Sequence, residues 1–359
     1  MNSRQRLVTA LSRGIPDRVP RDLSWGLSPI FYEKFKKNTG ETDYYKYFEI
    51  DYRLLDFKPT KKVVDFSKYF DEMADLPGFY NDEWGVGHVK SSNTDFHFEH
   101  IISPLKFAES VNDIIDYPMP DFMEEYRHAH FDKKVKNLHA QGIAVAGASI
   151  AQTLFEQAWL IRGFEELMMD MIAKPEMAEC LIDKLLELRI KMARRFAMAN
   201  VDVLMLGDDV GMQTGMLISP QQWRKWLKPR LAKVIVSAKA IKPDIHIFYH
   251  SDGNIEPIIE ELIEVGITVL NPIQPECMDP AKIKKKYGSK ISFWGAIGVQ
   301  ANLPFGTPED VRQEVKLRME TIGKDGGFVI GPTHCIEPEV PWENLVAMFD
   351  AIEEFGYYR

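Results

Sequence analysis

The feature that most constrains this chain is a repeated alternation of short apolar, β-branched runs with helical patterns. Eight such runs can be marked, at residues 19–25, 51–57, 143–149, 201–209, 245–252, 267–274, 291–298 and 327–334. They have strand length and are bounded by Gly, Pro or Asp. Between them lie amphipathic stretches. Residues 175–199 place Met177, Cys180, Leu181, Leu185, Leu188 and Met192 on a stripe with a spacing near 3.6. Residues 255–265 and 308–322 read the same way. The second of these opens with Thr307-Pro308-Glu309-Asp310, an N-cap, a proline at the first helical position and acids facing the positive helix end. Alternation of this kind predicts an α/β fold, a (β/α)8 TIM barrel. An open doubly wound sheet is the alternative, but no G-x-G-x-x-G follows an early strand.

Length and composition agree with that reading. At 359 residues with 45% hydrophobic side chains, the chain can bury a large core, and residues 1–359 read as a single barrel domain. A net charge of −9 and a pI near 5.6 argue against a nucleic-acid surface; the run Lys282–Lys286 reads as the solvated face of a helix. The opening Met1-Asn2-Ser3-Arg4-Gln5-Arg6 lacks the apolar core of a signal peptide, and no run of about 18 apolar residues suggests a membrane span. Cys180, Cys277 and Cys335 are too scattered for a disulfide framework. The expected location is the cytoplasm, with no membrane contact. The gap between the second and third runs is long. Within it Glu83–Val89 and Phe96–Ile101 alternate in polarity around Ser91-Ser92-Asn93-Thr94, which predicts an inserted β-hairpin acting as a lid or binding element.

In a barrel the last residues of each strand line the top-face pocket. That criterion collects Trp25, Asp56, Ser149, Asp208, Asp209, His250, Asp252, Asn271, Gln274 and His334. His250 and Asp252, two apart on a strand, face one side and can share an ion with a third ligand from another strand. The plainer alternative is a buried histidine hydrogen-bonded to Asp252; a second strand-end histidine, His334, weighs against it. Cys335 adjoins His334, so only one of the two easily faces the pocket, while Cys277 follows the sixth run and can also reach it. Either cysteine can equally be small apolar filler. The string Gly207-Asp208-Asp209-Val210-Gly211-Met212-Gln213 puts two carboxylates at a strand end between glycines, a setting for substrate or proton handling; Asp209 could instead cap the next segment. Trp25, Gln213, Asn271 and Gln274 are the substrate-binding candidates.

These residues also carry a pattern across nearly the whole chain. Ser3-Arg4-Gln5-Arg6 with Pro16-Asp17-Arg18-Val19-Pro20 forms its entry, and Gly207-Asp208-Asp209 with Leu217-Ile218-Ser219-Pro220 and Trp223 its middle. The tail runs from Phe293-Trp294-Gly295 through Pro304-Phe305-Gly306-Thr307-Pro308-Glu309 to Pro338-Glu339-Val340-Pro341-Trp342-Glu343-Asn344. Together they resemble the uroporphyrinogen decarboxylase superfamily, which implies a (β/α)8 barrel. The superfamily's porphyrin decarboxylases carry an Arg-Gln-Ala-Gly-Arg-Tyr type stretch after the first strand, whose arginines bind the substrate carboxylates. Here that stretch is Trp25-Gly26-Leu27-Ser28-Pro29-Ile30-Phe31, without arginine, and porphyrin decarboxylation is not expected.

The superfamily's other branch holds cobalamin-dependent methyltransferases, which bind zinc through a His-x-Cys pair and a later Cys. His250-Ser251-Asp252 stands where the pair would be. Counting back ten residues from Asn344, where that later Cys falls in the branch, reaches His334 and not Cys335. The resemblance therefore implies a metal set of His250, Asp252 and His334, with Cys277 and Cys335 as alternates. Soft thiolates suit thiol substrates, whereas His/Asp ligation keeps zinc a stronger Lewis acid for oxygen. The expected activity is removal of a methyl group from a methoxylated aromatic donor, passed to the Co(I) of a separate corrinoid protein, with Asp208 or Asp209 holding or protonating the substrate oxygen. The Asp-x-His-x-x-Gly motif of a corrinoid carrier is absent, so the cobamide is expected on a partner; a homodimer is compatible with the chain. The alternative is a metal-free decarboxylase or other lyase acting on a small carboxylated substrate, with Asp208 and Asp209 as acid and base.

Overall fold

The computed structural model describes residues 1–70, 76–90 and 99–358. Seven of the eight runs form strands: Tyr52–Leu55 (β1), Ala144–Gly147 (β2), Val203–Gly207 (β3), His246–His250 (β4), Val269–Asn271 (β5), Ser292–Ile297 (β6) and Phe328–Pro332 (β7). They pair in chain order as one parallel sheet. Parallel neighbours need long crossovers, and helices supply most of these, so the sheet curls into a half-barrel of TIM-barrel type. β2, β3, β6 and β7 are buried along their whole length, as expected for strands covered on both faces. The candidate site residues stand at the strand ends or just beyond them.

The run 19–25 behaves differently from the expectation. It makes one parallel bridge, Arg21 to Ile330 of β7, with Asp22 N donating to Ile330 O at 2.8 Å and Ile330 N to Pro20 O at 2.9 Å. Side-chain partners take over the rest of the ladder. Pro20 has no N–H to offer, Arg21 N donates to the Asp51 carboxylate at 3.0 Å, and Asp22 accepts from Ser24 N at 2.7 Å. The helices follow the sequence more closely. Pro175–Met198 buries Met177, Leu181, Leu185 and Met192 of its stripe and leaves Cys180 and Leu188 half-buried, and Pro308–Thr321 opens with a Thr307/Asp310 capping box. Residues 255–265 instead divide into a 3₁₀ turn, Glu256–Ile258, and a short helix, Ile259–Glu264. Among the described residues no helix is long and apolar enough to cross a membrane.

Inside the sheet, Trp294 of β6 meets Tyr52 of β1 and Phe248 of β4 edge-on, at centroid separations of 5.1 and 5.3 Å. Such pairs contribute about 0.5–1.5 kcal/mol each beyond their area burial. Asp22 is fully buried and accepts hydrogen bonds from Tyr52 Oη and Ser24. Burial pushes its carboxyl up to about 6, against those bonds. A carboxyl whose folded pKa exceeds its unfolded value binds protons more tightly in the folded state, so its ionisation weakens folding as pH rises from about 4 to 6. Asp22→Asn keeps the acceptor and cannot ionise. Its stability relative to the parent should therefore grow by up to about 3 kcal/mol over that window and level off above it, as read by urea denaturation at each pH.

Between β1 and β2 in the chain lies a separate antiparallel sheet of Phe79–Asn81, Gly87–Lys90 and Glu99–Ile102. The expected hairpin corresponds to its second and third strands, paired His88 to Ile101 and Val89 to His100. Residues 91–98, which include the expected turn and Phe96-His97-Phe98, lie outside the described residues. Arg127 anchors the base of this region, donating twice to Glu83 and once to Lys58 O.

Candidate functional site

The ends of β3 and β4 lie side by side, with Gly207 opposite His250, and β5 sets Asn271 opposite His250 from the other side. That register builds the site. His250 Nδ1 is 2.6 Å from Asn271 Oδ1. Asn271 spends its amide N–H on Trp294 O at 2.9 Å, which leaves Oδ1 as the acceptor and fixes the proton on His250 Nδ1. Nε2 is thereby turned to the strand ends, 3.6 Å from Asp209 Oδ1 and 3.9 Å from Asp252 Oδ1. Both distances are too long for a hydrogen bond.

Donor atoms of Asp209, His250 and Asp252 all lie within 4.8 Å of one another. Two donors each about 2.1 Å from a tetrahedral ion stand roughly 3.4 Å apart, so the three can close on one ion with small side-chain movements. Asp252 Oδ1 is buried and has no hydrogen-bond partner among the described residues, a cost that a cation would remove. Burial pushes Asp252 up to about 6; His250 pulls it down while Asp209 and Glu276 push it further up. Asp209 Oδ1 also accepts from Asp252 N at 2.8 Å. The donor set thus fits a zinc-like ion, with three protein ligands and a side open to the cleft.

The other expected ligands stand apart from this compact set. His334 lies on the cleft wall, its ring centroid 6.4 Å from that of His250. Trp25 packs beside both rings, 4.4 Å from His250 and stacked 6.0 Å from His334. Asp209, not His334, completes the compact group with His250 and Asp252. Cys335 lines the cleft too, but burial first, with Glu337 and Glu339, pushes its thiol up to about 12. Cys277 turns to Gln213 Oε1 at 3.3 Å, and burial pushes it up to about 11. Neither thiol is poised to become a thiolate.

Asp208 does not face the cleft. Its carboxylate accepts from Leu154 N and Glu156 N at 3.0 Å, capping helix Phe155–Arg162. Burial pushes it up to about 7 against those bonds. Glu156, in the first turn of that helix, returns a bond by accepting from Asp209 N at 3.1 Å. Burial beside Asp209 and Asp208 raises the Glu156 carboxyl well above its usual range. Arg189 holds the same loop through Thr153 O at 2.9 Å and Gln152 O at 2.7 Å. Gln274 lines the cleft and accepts from Gly253 N at 3.1 Å, whereas Gln213 is exposed and bonded to Gln300 at 2.8 Å. Asn271, read from the sequence as a substrate binder, orients His250 instead.

The cleft above these groups has a volume of about 580 Å³ and reaches to His88 and Glu99 of the antiparallel sheet. Its floor tolerates no added bulk. A Cβ on Gly207 would stand 2.7 Å from Ala151 O and 2.8 Å from His250 Cβ. Gly207→Ala is expected to cost about 1–3 kcal/mol and to displace His250, seen as lower zinc retention after dialysis in the fraction that remains folded.

Known proteins share this architecture. The uroporphyrinogen decarboxylase (URO-D) family model matches residues 106–355, a span that contains β2 to β7 and every residue of the donor set. The chain belongs to the uroporphyrinogen decarboxylase family. Curated uroporphyrinogen decarboxylases of Psychromonas ingrahamii and Thermus thermophilus are 23% and 27% identical to it over 199 and 183 residues. Those alignments cover 54% and 48% of this chain and 53% and 48% of the relatives; the chain spans about half the length of the curated relatives it matches. A methyltransferase from Methanosarcina mazei superposes over 99% of both chains with a TM-score of 0.69 at 18% identity, a likeness of fold. In this member of the decarboxylase family, reading the sequence missed Glu156. Its one local signal was an acid placed directly after Leu154-Phe155, beyond a strand end already marked.

Proposed function

We propose that this protein is a zinc-dependent methyltransferase that demethylates a methoxylated aromatic donor and passes the methyl group to the Co(I) of a separate corrinoid protein. One observation carries the reading: the compact donor set of Asp209, His250 and Asp252 offers nitrogen and oxygen but no sulfur. The shared fold with a protein named as a methyltransferase adds support. Zinc held by these three residues would supply a Lewis acid for the ether oxygen and stabilise the departing phenolate. The chain's own groups do the rest. Asn271 keeps His250 in the tautomer that can ligate, and Trp25 holds its ring from the side. Glu156, which lines the cleft and whose carboxyl burial pushes toward the protonated form, would give its proton to the departing oxygen. That role falls to Glu156 because Asp208 is spent on backbone N–H groups. Methyl transfer would break the methyl–oxygen bond, the partner's Co(I) would supply both electrons of the new bond to the methyl group, and the oxygen would leave as a phenol. In this reading residues 1–359 act as one domain. The segment through Arg21 counts as the first of eight barrel strands, and the antiparallel sheet is an insertion between the second and third.

A second reading rests on the raised carboxyls of Asp252 and Glu156, which suit a metal-free lyase using a protonated acid beside an ionised one. The two separate cleanly. Zinc-loaded protein mixed with a Co(I) corrinoid protein and a panel of aryl methyl ethers should give the absorbance change to methyl-Co(III), and chelation should abolish it. Turnover of small carboxylic acids with CO₂ release, undiminished by chelation, would establish the lyase instead.

A further inference from the structure

Six carboxyl side chains line the cleft, from Glu99, Glu156, Asp209, Asp252, Glu337 and Glu339, and among the described residues no lysine or arginine does. Glu156, Asp209 and Asp252 belong to the inner site, and Glu99 is engaged by Tyr80 Oη at 2.6 Å and by His88 at 3.0 Å. Glu337 and Glu339 form the outer acidic wall, on the segment after β7 that also carries His334 and Cys335. An independent feature points to a ligand at the same wall. Thr333 is 1% exposed, lines the cleft, and its Oγ1 has no hydrogen-bond partner among the described residues. A buried hydroxyl of this kind is normally satisfied, and a ligand N–H in the cleft would satisfy it. Trp159 adds an aromatic ring to the lining, and rings combined with carboxylates favour ammonium groups.

We infer that the cleft takes methyl donors bearing a positively charged nitrogen, with Glu337, Glu339, Thr333 and Trp159 as the recognising groups, and rejects carboxylated donors. The methoxy part of the donor rests on the function proposed above; the charge preference does not. A carboxylated ligand would enter a site lined by like charges, with no lysine or arginine among its described lining. An ammonium gains charge-assisted hydrogen bonds there.

The test uses the full-length protein at pH 7.5, zinc-loaded and metal-free, with the charge preference read on the metal-free protein. Three probes share the 4-methoxyphenyl ring and differ in the charge of the para substituent: 4-methoxybenzylammonium, 4-methoxybenzyl alcohol and 4-methoxyphenylacetate. Calorimetric titration should give the ammonium an affinity at least about tenfold above the alcohol, with the phenylacetate weakest. Glu337→Gln and Glu339→Gln should each reduce the ammonium-to-alcohol affinity ratio about fivefold or more. Because the ratio is taken within one variant, a general loss of folding does not mimic the effect. Phenylacetate binding as tightly as the ammonium, an unchanged ratio in both variants, or no saturable binding of any probe overturns the inference. Tight ammonium binding with no methyl transfer to Co(I) leaves the charge inference standing and sinks the methyl-transfer reading. Methyl transfer from neutral ethers, with no preference for the ammonium in binding, does the reverse.

Discussion

Replacing His250 with alanine should lower zinc affinity by more than about 100-fold, and methyl transfer with it. The ring is the set's sole nitrogen donor, and it is held from behind by Asn271 and through Asn271 by Trp294 O. Loss of a residue that only orients a metal ligand typically costs 10–100-fold in affinity, so loss of the ligand itself should exceed that range. The comparison built into this claim is Asn271→Ala. It leaves all three ligands but frees the His250 tautomer, and should fall within about 10–100-fold. His334→Ala should retain near-stoichiometric zinc, since His334 is not part of the compact set. Elemental analysis after zinc loading and dialysis reads all three. If His334→Ala loses zinc as fully as His250→Ala, the donor set is wider than Asp209, His250 and Asp252.

The second large effect concerns the fold. Asp51 is fully buried at the entrance to β1. It pairs with Arg6 Nη1 at 2.7 Å and Arg18 Nη1 at 2.9 Å, and accepts Arg21 N at 3.0 Å. One carboxylate thus fastens the first helix and the run 19–25 to the sheet, at the seam where the backbone ladder is reduced to a single bridge. Asp51→Ala leaves the largely buried Arg6 and Arg18 short of a partner and Arg21 N unsatisfied. Breaking a buried pair from one side costs about 3–5 kcal/mol, so Asp51→Ala should lower the urea midpoint by that equivalent. Arg4→Ala is the control. Its guanidinium is partly exposed on Asp202, and its loss should cost no more than about 1 kcal/mol. A small effect for Asp51→Ala would mean that the seam is held elsewhere.

What could be read in advance followed from local periodicity. Seven strands came from apolar β-branched runs, and His250 with Asp252 from the two-residue repeat that puts them on one face. The run 19–25 shares that composition, but Pro20 and the side chains of Asp22 and Asp51 replace its ladder. That substitution depends on residues far apart in the chain. Asp209 was marked as a strand-end acid for proton handling, and its place beside His250 and Asp252 was not read. Only the register of β3 on β4 brings Asp209 to His250, and register between parallel strands joined by long crossovers is not written locally. Asp208 and Asp209 look equivalent in sequence. Alternation along the chain sends one to the helix cap and the other to the cleft. Glu156 was not marked, because its place comes from what the helix start is fastened to.

The proposed zinc site offers nitrogen and oxygen alone. X-ray absorption at the zinc edge of the loaded, substrate-free protein measures this directly. The expected result is a first shell of light scatterers at about 2.0–2.2 Å with one imidazole pattern and no sulfur. A shell at about 2.3 Å, the zinc–thiolate distance, would bring Cys335 or Cys277 into the site and contradict the account.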